Sequence, residues 1–328
     1  MKKIIAIICV LILIVSLSCF AFAGCNKQKK GVVRLNEVTH SVFYAPLYAA
    51  INLGYFEEEG ITVELTNGGG ADKTMTAVLS GQADIGFCGP EAAVYVYNEG
   101  RKDYPKVFAQ LTQMDGSFVI GREHEDFDWS TSFKGKEIIG GRRGGMPAMS
   151  LEYALKRYGY SIGTDVIINY DIQFDLITAA FEGGTGDYCT MFEPSASTFE
   201  KAGKGYILSA VGPASGNIPY TAFMATADYL KDNEDTVKGF CKALKKGVDY
   251  VQTQTPEKIA EAIAPSFEGT SKEMLARAVK NYRDIGAYVS ELSLKKEDFD
   301  RMQDVIISAG VYKDKVPYEK IVVSNFLE

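Results

Sequence analysis

An extended segment, a glycine-bearing turn and an apolar helix recur in that order along this chain, with short connections, and nothing else in the sequence restricts the fold as strongly. Gly31-Val32-Val33-Arg34-Leu35 reads as a first strand, followed by a turn at Thr39-His40-Ser41 and an aromatic-rich helix from Tyr44 to Leu53 that stops at Gly54. Ile61-Thr62-Val63-Glu64-Leu65 alternates as a strand should, and Asn67-Gly68-Gly69-Gly70 leads into a helix through Met75 and Leu79. Ala83 to Phe87 is a third strand, and Gly89-Pro90-Glu91 opens another helix, proline being favoured in a first turn. Val107 to Leu111 is a fourth strand, and Ser117 to Gly121 continues as a crossing segment. The pattern restarts at Lys136 to Gly140, with a loop over Gly141 to Pro147 and a helix from Ala148 to Tyr158. Strands at 166–170 and 187–192 flank a helix near 174–181, Tyr206-Ile207-Leu208 follows, and Ile218 to Thr226 reads as an extended return crossing. From Tyr229 onward the chain is mostly helical. Strands joined through helices pair in parallel, because a parallel neighbour needs a crossover connection.

The first residues concern location. Lys2 and Lys3 precede an uncharged apolar run from Ile4 to Ala23, ending at Phe22-Ala23-Gly24-Cys25. That order makes an export signal. It resembles a bacterial lipoprotein signal, in which Cys25 becomes the lipid-modified first residue; the other reading is an uncleaved anchor, since about twenty apolar residues just span a bilayer. Residues 1–24 are thus assigned as signal peptide and 25–30 as a polar tether. The remaining chain is expected to work on the outer face of a cell membrane, extracellular or periplasmic. The whole sequence carries 35 Lys and Arg against 42 Asp and Glu. No basic stripe interrupts this acidity, so nucleic acid is excluded as a partner. Cys88, Cys189 and Cys241 have neither zinc-site nor disulfide-scaffold spacing and read as buried thiols. With only His40 and His124 present, a His-rich metal site is excluded.

Thr39-His40-Ser41-Val42-Phe43-Tyr44-Ala45-Pro46-Leu47-Tyr48, then Gly54-Tyr55-Phe56-Glu57-Glu58-Glu59-Gly60-Ile61, resembles the opening of the SsuA/THI5-like (NMT1-like) solute-binding proteins. Ser80-Gly81-Gln82-Ala83-Asp84-Ile85-Gly86 is similar to the segment around their third strand. The resemblance implies an α/β, two-lobed periplasmic-binding-protein-like fold of type II, each lobe a mixed, mainly parallel sheet flanked by helices. Lobe 1 is expected over 31–118 plus 219–328, including the C-terminal helices, and lobe 2 over 119–218. The resemblance also implies a receptor that hands a small solute to an ABC permease and its ATPase. It is expected to act as a monomer without a cofactor.

Parallel sheets bind ligands beyond the carboxyl ends of their strands, and a solute touching both lobes favours the closed form. Position therefore nominates His40, Phe43, Tyr44, Gly69, Gly70, Gly89, Pro90 and Glu91 in the first lobe. Gly144, Gly145, Met146 and Glu193 are their counterparts in the second, and Gln113, Asp115 and Tyr220 lie near the crossings. His40 serves either the ligand or its own turn, and Phe43 and Tyr44 either stack on a ring or pack in the core. The glycines either let a ligand approach backbone N–H groups or simply make tight turns. Glu193, between an apolar strand and Pro194, is expected at the cleft edge, accepting N–H bonds from an amino-pyrimidine; its alternative is to cap the following helix. The family's pyrimidine-precursor binders use an acidic residue near this segment, as the resemblance implies. A carboxylate there disfavours an anion, which Arg142 or Arg143 would have to offset.

A nitrogen heterocycle such as a thiamine pyrimidine precursor is the expected solute, with a sulfonate, taurine or nitrate-type anion as the alternative. The family also holds a pyrimidine-synthesising enzyme that depends on a pyridoxal-phosphate lysine and a cysteine-rich segment. Here only Cys189 falls in the comparable stretch, so no enzymatic activity is expected.

Overall fold

The computed structural model describes residues 31–173 and 176–327; the signal segment and Cys25 lie outside the described residues. Ten strands form two five-stranded sheets. In the first sheet β1 (Gly31–Glu37) pairs in parallel with β2 (Ile61–Asn67) and β3 (Ile85–Cys88), and β4 (Lys106–Thr112) closes the far edge. In the second, which takes β5 (Phe118–Gly121), β6 (Lys136–Ile139) pairs in parallel with β7 (Val166–Asn169) and β8 (Tyr188–Met191), and β9 (Tyr206–Ala210) is the edge. The strand that arrives from the other sheet enters the interior of each: β5 runs antiparallel between β8 and β9, and β10 (Thr221–Ala225) antiparallel between β3 and β4. Four strands of each sheet therefore point one way and the crossing strand the other, giving the mixed, mainly parallel layers and the periplasmic-binding-protein fold. The chain passes between the sheets at Gln113–Ser117 and again at Gly216–Tyr220.

Local chemistry explains the elements. Val33 and Leu35 of β1 are fully buried, while Val32 and Arg34 beside them are exposed, the period-two pattern of a strand with one covered face. The first helix opens as a single 3-10 turn, Val42–Tyr44, in which the Ser41 hydroxyl accepts from the Phe43 backbone N–H. It continues as Ala45–Asn52 with Pro46 in its first turn. The expected helix from Ala148 begins earlier, at Met146, with Gly145 as its N-cap. A short helix over Val211–Ser215, unforeseen from the sequence, sits beside the first crossing. Its backbone comes so close that a Cβ on Gly212 would fall 2.3 Å from the Asp115 carbonyl oxygen.

The longest helix, Glu234–Thr253, buries Val237, Phe240, Cys241, Leu244, Val248 and Val251, one stripe at spacings of three and four. It lies against Ala45–Asn52, where Gly247 removes the side chain that would otherwise meet the Pro46 carbonyl at 2.2 Å. The following helices reach the second sheet. Arg277 pairs with Glu200, Lys201 with Glu273 at 3.4 Å, and Lys156 donates to the Ser308 carbonyl at 2.7 Å. The C-terminal tail thus clasps both sheets. Among the described residues no helix is long and apolar enough to cross a membrane.

Candidate functional site

Four buried polar groups converge where the two crossings pass between the sheets. Asp115, on the first crossing, is fully buried; its Oδ1 accepts from the Ser117 backbone N–H at 2.7 Å and from the Ser117 hydroxyl. Its Oδ2, the Tyr220 hydroxyl on the second crossing, the Ser150 hydroxyl in the Met146–Arg157 helix and the Glu91 Oε2 at the start of the Glu91–Asn98 helix are buried too. Among the described residues none of these four atoms closes a hydrogen bond of full geometry, though the Ser150 and Tyr220 hydroxyls lie near enough to Asp115 to pull on its carboxyl. Native interiors rarely leave such atoms unpaired, so a cluster of them marks a place built for something else to touch.

The electrostatics agree. Burial pushes the Asp115 carboxyl up to about 6, against the pull of Ser117 and of the nearby Tyr220 and Ser150 hydroxyls. Burial likewise pushes Glu91 up to about 7, while its own backbone N–H and the Arg142 guanidinium draw it down. Both carboxylates act on Tyr220, whose phenol burial holds far above its usual range. Perturbed acids gathered in one interior place are a functional-site signature. Gly89 leaves room for this carboxyl: a Cβ on it would lie 2.0 Å from the Glu91 Oε2 and displace it.

Aromatic rings form the wall. Phe43 lies 5.7 Å from Phe192 of the second sheet's side, 5.8 Å from Tyr220 and 4.8 Å from Tyr282. The first crossing passes directly over it, since a Cβ on Gly116 would be 2.5 Å from its ring. Tyr44 packs edge-on against Phe87 at 4.5 Å, its hydroxyl turned toward Thr221. Thr221 and Thr112 are joined through their hydroxyls at 2.9 Å.

Of the residues nominated from the sequence, Phe43, Tyr44, Gly89, Glu91, Asp115 and Tyr220 meet in this one region. Pro90 is the buried N-cap of the Glu91–Asn98 helix beside it, and Met146, also buried, starts the helix that carries Ser150. Gly70 caps the Ala71–Leu79 helix next to an exposed Gly69, and Gly144 and Gly145 lead into the Met146 helix. These two loops are bridged by Arg142 and Asp72, 3.9 Å apart and both exposed. Arg143 instead rests 4.0 Å over the Tyr170 ring. Gln113 is turned to the helical tail, donating through its side chain to the Gly286 carbonyl at 2.8 Å. Ser150 and Phe192 escaped the sequence reading. Ser150 sits one turn inside a predicted helix, and its approach to Asp115 depends on how the second sheet's side is placed.

Two nominated residues are otherwise engaged. Glu193 is not at a cleft edge. It is 2 % exposed, and its carboxylate accepts from the Ser197 backbone N–H at 3.0 Å, the Ser197 hydroxyl at 2.7 Å and the Asn281 amide at 2.6 Å. The short Pro194–Ser195 link brings the helix start back under its own preceding strand, so the carboxylate meets helix N–H groups before it can reach solvent. His40 holds its turn. Its Nε2 donates to the Ser266 carbonyl at 2.6 Å and its Nδ1 to Glu37 at 2.8 Å, while Tyr48 donates to the other Glu37 oxygen at 2.6 Å. A carbonyl and a carboxylate only accept, so both ring nitrogens carry protons and the imidazole is a cation. The Glu37 hydrogen bond is the main cause raising its pKa above the ordinary 6.5, partly offset by burial. This contact therefore stabilises the fold fully below about pH 6.5 and is lost as the pH rises through the elevated folded value. An NMR titration should show His40 releasing its proton above the ordinary 6.5, and His40→Gln should flatten the fall of the melting midpoint above neutrality.

Comparison with known proteins fits this arrangement. The profile of the family described as NMT1/THI5 like matches residues 42–259. YtlA of Bacillus subtilis (strain 168), provisionally described as a binding protein, is 40% identical over 311 residues, covering 94% of this chain and 93% of that protein. The 4-amino-5-hydroxymethyl-2-methylpyrimidine phosphate synthase THI13 of Saccharomyces cerevisiae is 23% identical over 235 residues, 64% of this chain and 63% of the synthase. Among solved structures, the alkanesulfonate-binding protein SsuA from Xanthomonas axonopodis pv. citri superposes with a TM-score of 0.71 at 15% identity, covering 90% of this chain and 98% of that one.

Proposed function

This chain belongs to the NMT1/THI5-like family, and on that premise we propose that it is the solute receptor of an ABC importer, held outside the cytoplasm by a lipid on Cys25. The two lobes, 31–118 with 219–328 and 119–218, close on a small nitrogen heterocycle of the thiamine-pyrimidine kind, and the permease reads the closed form. One observation carries this reading. Glu91 and Asp115 present buried, unpartnered carboxylate oxygens at the meeting of the two sheets, beside aromatic walls from both sides. A ligand that supplies N–H donors satisfies both lobes together, which is the condition for driving closure. Two hydroxyls, from Ser150 and Tyr220, supply orienting contacts.

Capture without turnover suits these residues. His40 is committed to Glu37 and Ser266, and burial holds the Cys189 thiol above its ordinary pKa, so neither forms an activated nucleophile–base pair. The similarity to a synthase is the fainter of the two sequence relationships. The anion alternative needs Arg142 or Arg143 to offset the acids, but Arg142 is exposed and faces Asp72, and Arg143 rests over the Tyr170 ring.

The test is a thermal-shift panel of thiamine pyrimidines, riboflavin, taurine, alkanesulfonates and nitrate on the chain starting at Asn26. A true solute at a hundred times its dissociation constant should add about 2.7 kcal/mol, several degrees in midpoint. The pyrimidines are expected to shift it. A shift with taurine alone favours the anion reading, and no shift with any solute defeats the receptor reading.

A further inference from the structure

Resting on the receptor reading above, we infer that the solute is bound as a cation, a planar amidinium-type group whose N–H donors reach Glu91 and Asp115 together. The unpartnered atoms set this chemistry. An ionised carboxylate oxygen only accepts, so above their raised pKa values whatever completes the Glu91 Oε2 and the Asp115 Oδ2 must donate. The Ser150 and Tyr220 hydroxyls pull on Asp115 but carry no charge, so they leave its ionised carboxylate without a counter-charge.

The charges around the pair point the same way. The titratable groups acting on Glu91 are Tyr44, Cys88, Tyr95, Tyr220 and Arg142. Burial holds the three tyrosines and the thiol above their ordinary values, so all four are neutral near pH 7. Arg142 is the cation acting on Glu91, and it already faces Asp72 at the exposed rim. The groups acting on Asp115 are Ser117, Tyr220 and Ser150, none of them cationic. Two ionised acids buried this way repel an anion placed near them, by a Coulomb energy that grows as the surroundings become less polar. A cation gains by the same law, and charge-assisted N–H bonds to carboxylates are the strong kind. The electron-rich faces of Phe43 and Tyr44, ring centres 5.7 Å apart, add a wall that a delocalised cation prefers.

Charge also fixes the sign of the pH dependence. A cation needs both carboxylates ionised, so its capture weakens as they take up protons on acidification. An anion binds the protonated acids better, so its capture strengthens over the same interval.

The experiment uses three probes sharing one ring: benzamidine, benzamide and benzenesulfonate. Each is titrated calorimetrically into the chain from Asn26 near pH 8 and near pH 5.5, with the thermal-shift panel run in parallel. Benzamidine should bind at least tenfold tighter than benzamide near pH 8 and lose at least tenfold near pH 5.5. Glu91→Gln and Asp115→Asn should each weaken benzamidine by a further tenfold, about 1.4 kcal/mol, and weaken benzamide by less than threefold. Both variants remove a buried, uncompensated charge, so they should fold at least as stably as the parent, and melting confirms it. Equal binding of benzamide and benzamidine, tighter binding of benzenesulfonate, or capture that improves in acid overturns the inference. A panel solute that shifts the midpoint while none of the three probes binds also overturns it and leaves the receptor reading standing. Silence from panel and probes together sinks both.

Discussion

Phe43→Ala should lower the stability of the chain by about 4 kcal/mol, in the range for buried phenylalanine truncations, and the melting midpoint by on the order of 10 °C. The ring is 1 % exposed. It meets Phe192, Tyr220 and Tyr282, which come from different segments of the chain. The crossing at Gly116 runs over its edge, so the backbone there cannot sink far into the space the ring would leave. The cost should thus include a cavity contribution as well as the lost transfer free energy. Phe43→Leu retains most of the apolar volume and should lose about 1.5 kcal/mol or less. The same residue is a wall of the proposed cleft, so the alanine variant should also fail to respond to a pyrimidine that stabilises the parent. Differential scanning calorimetry with and without solute measures both effects. A midpoint that stays within a degree of the parent would mean that the ring faces open solvent.

The alternating elements were readable because each is local. Burial of Val33 and Leu35 around an exposed Arg34 follows from period-two alternation, and the stop at Gly54 from a backbone that turns left-handed there, φ 77°. Glu91 and Asp115, nominated separately from the sequence, fall in one region of the fold because each stands just past the carboxyl end of a strand. What the sequence did not carry was pairing. Nothing local in Phe118–Gly121 or Thr221–Ala225 says that these strands enter the middle of a sheet antiparallel to their neighbours. That choice is made by contacts distant in sequence. The hydrogen bond from His40 to the Ser266 carbonyl, 226 residues away, was hidden for the same reason. So was the role of Ser150, a small polar residue inside an otherwise ordinary helix. Contacts of high sequence separation leave no periodic signature, and periodicity was the main signal available.

Glu193 shows the same limit at a single residue, and it makes the second large prediction. Placement between a strand and a proline put its side chain at a cleft edge. The structure turns it inward, where one carboxylate pins Ser197 at the start of the Ser195–Lys201 helix to Asn281 of the Lys272–Asp284 helix. The Glu193 backbone N–H also donates to the Tyr282 hydroxyl at 2.8 Å, so the strand end and the tail are joined twice. Glu193→Ala leaves a buried backbone N–H, a hydroxyl and an amide without their acceptor. The expected loss is about 3 kcal/mol, since stranding buried donors costs their desolvation in full. Glu193→Gln keeps one acceptor oxygen but gives up the charge assistance, and should lose about 1 kcal/mol. Urea denaturation of the three proteins should rank them in that order, with benzamidine affinity altered by less than threefold in the glutamine variant. If Glu193→Gln melts like the parent yet no longer captures any solute, the carboxylate touches ligand after all, and its bonds to Ser197 and Asn281 must break when the solute enters.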